Sequence, residues 1–110
     1  MKQYVITELS PEESEAISAY LKEKVGFSGI IDFFWIPVDP GLYTKEQETH
    51  IDCAPLCFSV EMDVDQLICE FLLRTRKKVA CDCIKYATAK QREWIIEFLD
   101  EMLNQLNIHP

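Results

Sequence analysis

Apolar residues recur at helical spacing near both ends of the 110-residue chain and at every second position between them. Residues 3–7 suit a short strand. Ile17, Tyr20, Leu21 and Val25 line one side of a helix expected over 11–25. Ser10-Pro11-Glu12-Glu13 starts that helix: Ser10 can cap it, Pro11 occupies the first helical position, and Glu13 closes a capping box. Gly26 ends it.

Residues 29–36 are rich in branched and aromatic side chains and predict a strand that Pro37 terminates. Three further strands are expected in quick succession, over 56–62, 67–74 and 78–86. Phe58, Val60 and Met62 share a face with Leu67, Cys69 and Phe71 if a four-residue loop, Asp63 to Gln66, joins their strands. A three-residue loop, Thr75 to Lys77, would then set Cys69 opposite Cys83 and Phe71 opposite Cys81. This register places Cys69, Cys81 and Cys83 together on the core face. It leaves Ile30, Phe34, Ile36, Ile68, Leu72, Ile84 and Tyr86 on the other face, beside Asp32, Ser59, Glu61, Glu70, Arg74 and Asp82.

The 38–55 connection is too long to lack structure of its own. Thr44-Lys45-Glu46-Gln47 is a capping box, so a short helix is expected over 45–50. A third box, Thr88 with Gln91, opens a helix over 89–106 whose stripe is Ile95, Phe98, Leu99, Met102 and Leu106. Residues 107–110 read as a frayed tail. The fold class is α+β: a four-stranded, mainly antiparallel sheet with the N-terminal and C-terminal helices packed on one face, in a single domain over 1–110.

Composition narrows the function. Nineteen acidic and eleven basic residues give a net charge of −8, which disfavours nucleic acid as a partner. Residues 25–66 hold one basic and eight acidic residues, while Arg74, Arg76, Lys77 and Lys78 form a basic cluster at a hairpin tip. No apolar run approaches the roughly 20 residues of a membrane span, and the N-terminus does not resemble a signal peptide. A cytoplasmic location and reduced thiols are therefore expected for the five cysteines, an odd number. Three glycines leave no glycine-rich phosphate loop, and Asp63-x-Asp65 lacks the rest of a calcium loop. Glu70 and Asp82 are mid-strand carboxylates among apolar neighbours.

One constellation carries chemistry. Thiolate and imidazole are the zinc ligand types, and His50, Cys53, Cys81 and Cys83 are the best surviving set, although their spacing departs from the paired Cys-x(2–4)-Cys knuckles of structural zinc sites, a pattern that only Cys53 and Cys57 match. Cys57 falls on the opposite face. A regular strand over 78–86 would hold the Cys81 and Cys83 sulfurs apart, so a bulge is required there. No Cys-x-x-Cys opens a helix, and no third group completes a His50–Cys53 nucleophilic pair. The leading expectation is a small, non-catalytic, self-associating protein-interaction module, a homo-oligomer built on the half-apolar second sheet face. The alternative is a zinc-binding domain using His50, Cys53, Cys81 and Cys83.

Overall fold

The computed structural model describes residues 1–77 and 81–109. In chain order, strand β1 (Gln3–Ile6) leads into helix α1 (Pro11–Val25) and strand β2 (Phe33–Pro37). A single 3-10 turn (Pro40–Leu42), helix α2 (Lys45–Thr49) and a second 3-10 turn (Ile51–Cys53) fill the long connection. Strands β3 (Leu56–Asp63), β4 (Gln66–Glu70), β5 (Leu72–Thr75) and β6 (Lys85–Tyr86) follow, and helix α3 (Ala89–Gln105) closes the chain. The class is α+β with an antiparallel sheet, and no helix among the described residues is long and apolar enough to cross a membrane.

All three capping boxes form. Ser10, Thr44 and Thr88 each accept from the backbone N–H three residues on, and Glu13, Gln47 and Gln91 each return a hydrogen bond to the cap. At its other end α3 finishes in a turn with Asn107 in the left-handed region at φ 57. Asn107 N–H donates to Asn104 O and Ile108 N–H to Leu103 O, which satisfies the last carbonyls and buries Ile108. The tail through His109 is therefore structured rather than frayed, and His109 itself is exposed.

Among the described residues the sheet has six strands, not four. β3 is its centre, with β2 on one side and both β4 and β5 on the other; β1 extends the sheet beyond β4, and β6 beyond β5. The strand expected over 67–74 is split by a bulge at Phe71. Val60 faces Cys69 but Leu56 faces Thr75, so two extra residues accumulate on the outer strand between those pairs. Phe71 N–H donates to Lys2 O, and its carbonyl accepts from Ala87 N–H, so the bulge feeds the edges formed by β1 and the chain after β6. The β3–β4 register is the expected one, but Asp63 pairs with Gln66 and leaves a two-residue loop in which Val64 takes φ 45.

Two registers differ from expectation. β2 begins at Phe33, after Gly29 and Asp32 have both taken positive φ, and it is turned over. Phe34 and Ile36 pair with Val60 and Phe58 and are buried, while Phe33 and Trp35 face outward. Both faces of that segment are apolar, so its pattern does not choose a side. Of the strand expected over 78–86, the described part forms a turn at 81–84 and then β6, with Leu72 facing Tyr86 and Leu73 facing Lys85; Lys78, Val79 and Ala80 lie outside the described residues. Cys69 consequently pairs with Val60 and Tyr4 rather than Cys83. Ile30 and Ile31 precede the sheet and are exposed, and Ile84 packs against the core.

One hydrophobic cluster unites Ile17 and Leu21 of α1 and Ile95, Leu99, Met102 and Leu103 of α3 with Phe34, Phe58, Val60, Leu67 and Cys69 of the sheet. Trp94 of α3 stacks on Phe58 of β3, with ring centroids 6.4 Å apart. On the other sheet side, Ser59 Oγ donates to Glu70 Oε2, which also pairs with Arg74 at 3.5 Å. Glu70 is thus a half-exposed, partnered carboxylate, and Asp82 is an exposed turn residue rather than a mid-strand one.

Candidate metal centre

The site is built from two short arms. The first runs out of α2. His50 ends that helix, and Cys53 N–H donates to His50 O at 2.9 Å, closing one 3-10 turn. Residues three apart eclipse each other in a 3-10 turn, so the His50-x-x-Cys53 spacing places both side chains on one side. The second arm is a turn in which Ile84 N–H donates to Cys81 O at 3.0 Å. Cys81 and Cys83 sit at its first and third positions. This turn supplies the departure from a regular strand that the Cys-x-Cys spacing requires.

The turns meet. One ligand atom from each of His50, Cys53, Cys81 and Cys83 lies within 4.8 Å of all the others. Cys81 Sγ is 3.6 Å from Cys53 Sγ and 3.2 Å from His50 Nδ1. With Zn–S bonds of about 2.3 Å and Zn–N bonds of about 2.0 Å, a tetrahedral site has S···S edges of about 3.8 Å and S···N edges of about 3.5 Å. These two contacts need to open by a few tenths of an ångström, and no other ligand pair needs to close by more than about 1 Å. Cys53 and Cys83 are buried, whereas His50 and Cys81 are half-buried, so the centre lies at the boundary between core and solvent. All five cysteines are free thiols.

Electrostatics separates these sulfurs. The Cys83 backbone beside the Cys81 sulfur, with smaller help from the Cys83, Cys53 and His50 side chains, holds that thiol down to about 6. Burial, reinforced by the neighbouring sulfurs, pushes Cys83 up to about 12. A negative charge in the cluster therefore rests first on Cys81. Cys69 is pushed up to about 12 by burial and by Glu70, and burial also raises Cys57. Those two cysteines lie outside the cluster, Cys69 in the core and Cys57 on the strand face opposite Phe58.

What holds the first arm in place is a buried amide pair. Gln91 Nε2 donates to Gln47 Oε1 and to Leu42 O, each at 2.9 Å. Gln47 Oε1 also accepts from Thr44 N–H, and Gln91 Oε1 from Thr88 N–H, so the capping boxes of α2 and α3 are joined amide to amide. Both glutamines are buried, and no buried side-chain polar atom among the described residues lacks a partner. The second arm is tied to α2 by an exposed ion pair between Lys85 and Glu46, and the Glu46 carboxylate raises the Lys85 ammonium. Sequence reasoning passed over this Gln47–Gln91 support. The available signal is that two of the three boxes use glutamine where the solvent-side box uses Glu13; a neutral amide tolerates burial that a carboxylate does not.

No protein-family model, curated protein or solved structure matches the chain.

Proposed function

We propose that this chain is a zinc-binding domain in which His50, Cys53, Cys81 and Cys83 hold one Zn2+. The convergence of one imidazole and three thiols within 4.8 Å, from two arms about thirty residues apart in the chain, is the observation that supports this reading. Sulfur-rich N/S sets suit zinc, and four protein ligands leave no open position for substrate, so the role is structural rather than catalytic. The ion fastens the turn after β5 to the segment between α2 and β3. Neither arm has regular secondary structure of its own beyond single turns.

The test is metal content after purification without chelators, followed by cobalt substitution. One metal per chain, with thiolate-to-cobalt charge transfer and the d–d bands of a tetrahedral site, is the expected result. Serine at Cys53 or Cys83 abolishes those bands, and serine at Cys57 or Cys69 leaves them. Metal near zero together with a featureless cobalt spectrum removes the reading.

A second reading, self-association, has its own support. The shared core of α1, α3 and the inward strand residues favours both helices covering one sheet face. The other face then presents half-exposed Phe33, Trp35, Ile68 and Leu72, with the rings of Phe33 and Trp35 edge to face at 5.1 Å and Arg76 over Trp35. Residues 25–66 carry a net −7, opposite in sign to the Arg74, Arg76 and Lys77 tip. A homodimer joined through this face weakens in high salt. Sedimentation that gives a monomer at every concentration removes this reading without touching the zinc site.

A further inference from the structure

We infer that Cys81 is an oxidation site whose resolving partner is Cys53, so that a peroxide converts the proposed zinc centre into a Cys53–Cys81 disulfide and releases the ion. The release rests on the zinc reading; the disulfide rests on geometry alone. Cys81 is half-buried, while Cys53 and Cys83 are each 1% exposed, so an oxidant arriving from solvent meets Cys81 first. The Cys53 sulfur waits 3.6 Å away on the other arm. A disulfide of about 2.05 Å requires the two sulfurs to approach by about 1.5 Å. Both belong to single turns rather than to the sheet ladder, where such an approach meets least resistance.

The chemistry balances with hydrogen peroxide as the two-electron oxidant. The Cys81 sulfur takes one peroxide oxygen: an S–O bond forms, the O–O bond breaks, and the other oxygen leaves as water, giving a sulfenic acid. The Cys53 sulfur then attacks the Cys81 sulfur, the S–O bond breaks, and a second water departs. Two thiols lose two electrons and two protons, and one peroxide becomes two waters. Where zinc holds the sulfurs as thiolates, solvent supplies the two protons and Zn2+ leaves with its charge unchanged. His50 and Cys83 remain as two ligands, too few to retain the ion.

The experiment treats zinc-loaded and metal-free protein with stoichiometric hydrogen peroxide in a C57S/C69S background, which removes the two thiols outside the cluster. The readouts are intact mass, zinc captured by a chromogenic chelator, and tryptic peptides separated without reduction. Trypsin leaves Cys53 on the peptide ending at Arg74, and Cys81 and Cys83 together on the peptide ending at Lys85. The expected result is loss of two hydrogens, release of one zinc per chain, and a cross-link between those peptides that survives C83S and disappears in C81S. A cross-link that survives C81S, or a loop within the second peptide, overturns the assignment. Bound zinc that peroxide fails to release overturns the inference and leaves the zinc reading standing. Metal-free protein that takes up no zinc but forms the Cys53–Cys81 bridge does the reverse.

Discussion

Replacing Gln91 with alanine tests whether a buried amide pair positions the metal ligands. Gln91 is fully buried and engages three groups: Leu42 O, Gln47 Oε1 and Thr88 N–H. Thr88 is exposed, so water replaces that bond at little cost. Of the other two partners, Gln47 Oε1 keeps its bond from Thr44 N–H, so Leu42 O is the acceptor that loses its partner. Each buried polar group left without a partner costs about 1–3 kcal/mol. Water entering the vacated space recovers part of this, so the net loss is about 1–2 kcal/mol. Near the melting point that is about 4 °C per kcal/mol for a chain of this size, a fall of about 4–8 °C. Urea unfolding of the metal-free protein gives the free energy, with an unchanged m-value showing that the denatured state is unaffected. Gln47→Ala removes the facing amide, and the Gln47/Gln91 double mutant should show a coupling of about 1 kcal/mol. The functional readout is zinc affinity, because Gln47 lies three residues before His50. A ligand support of this kind is worth about tenfold to a hundredfold in affinity. Q91A within about 0.5 kcal/mol of the parent, or additive Gln47 and Gln91 effects, would refute the argument. Loss of stability with unchanged zinc affinity would separate the pair from the site.

Three other outcomes are expected. Alkylation of the metal-free protein at neutral pH should label Cys81 first and Cys57, Cys69 and Cys83 last, since burial raises all three of the latter; zinc should protect Cys53 and Cys81 as well, and equal rates at all five sulfurs would contradict this. Zinc affinity should fall as pH drops, because the ion must displace the Cys83 proton, and more steeply below about 6, where the Cys81 thiolate also takes up a proton; calorimetric titration in buffers of different ionisation enthalpy checks both slope and proton release. Val64 holds φ 45 at a two-residue hairpin turn while 88% exposed, so V64G should raise stability by about 0.5–1 kcal/mol by relieving strain without losing packing; an unchanged urea midpoint would count against that.

Local chemistry is what the chain determined by itself. Three capping boxes set the starts of three helices, because the partners in each box are three residues apart and need nothing from elsewhere. Gly26 ended α1 for the same reason. Alternation fixed the pairing of β3 with β4, since one slip would carry Phe58, Val60 and Met62 out of the core. The four residues of the cluster were named from their side-chain chemistry, but their convergence was not legible: the parity that set Cys57 apart assumed a regular strand through Cys81 and Cys83, and residues 81–84 form a turn.

Tertiary structure decided the rest. β2 is apolar on both faces, so only its pairing with β3 selected Phe34 and Ile36 for the core. The bulge at Phe71 depends on backbone groups from Lys2 and Ala87, residues with no local relation to it, and it turned one expected strand into two. The strand expected over 78–86 gave way at 81–84, where Cys81 and Cys83 lie on a turn that meets an arm about thirty residues earlier. Gln47 and Gln91 each look like ordinary capping residues in the sequence. Only packing α2 against α3 brings their amides to 2.9 Å, and that contact between distant segments anchors the helix whose end carries His50.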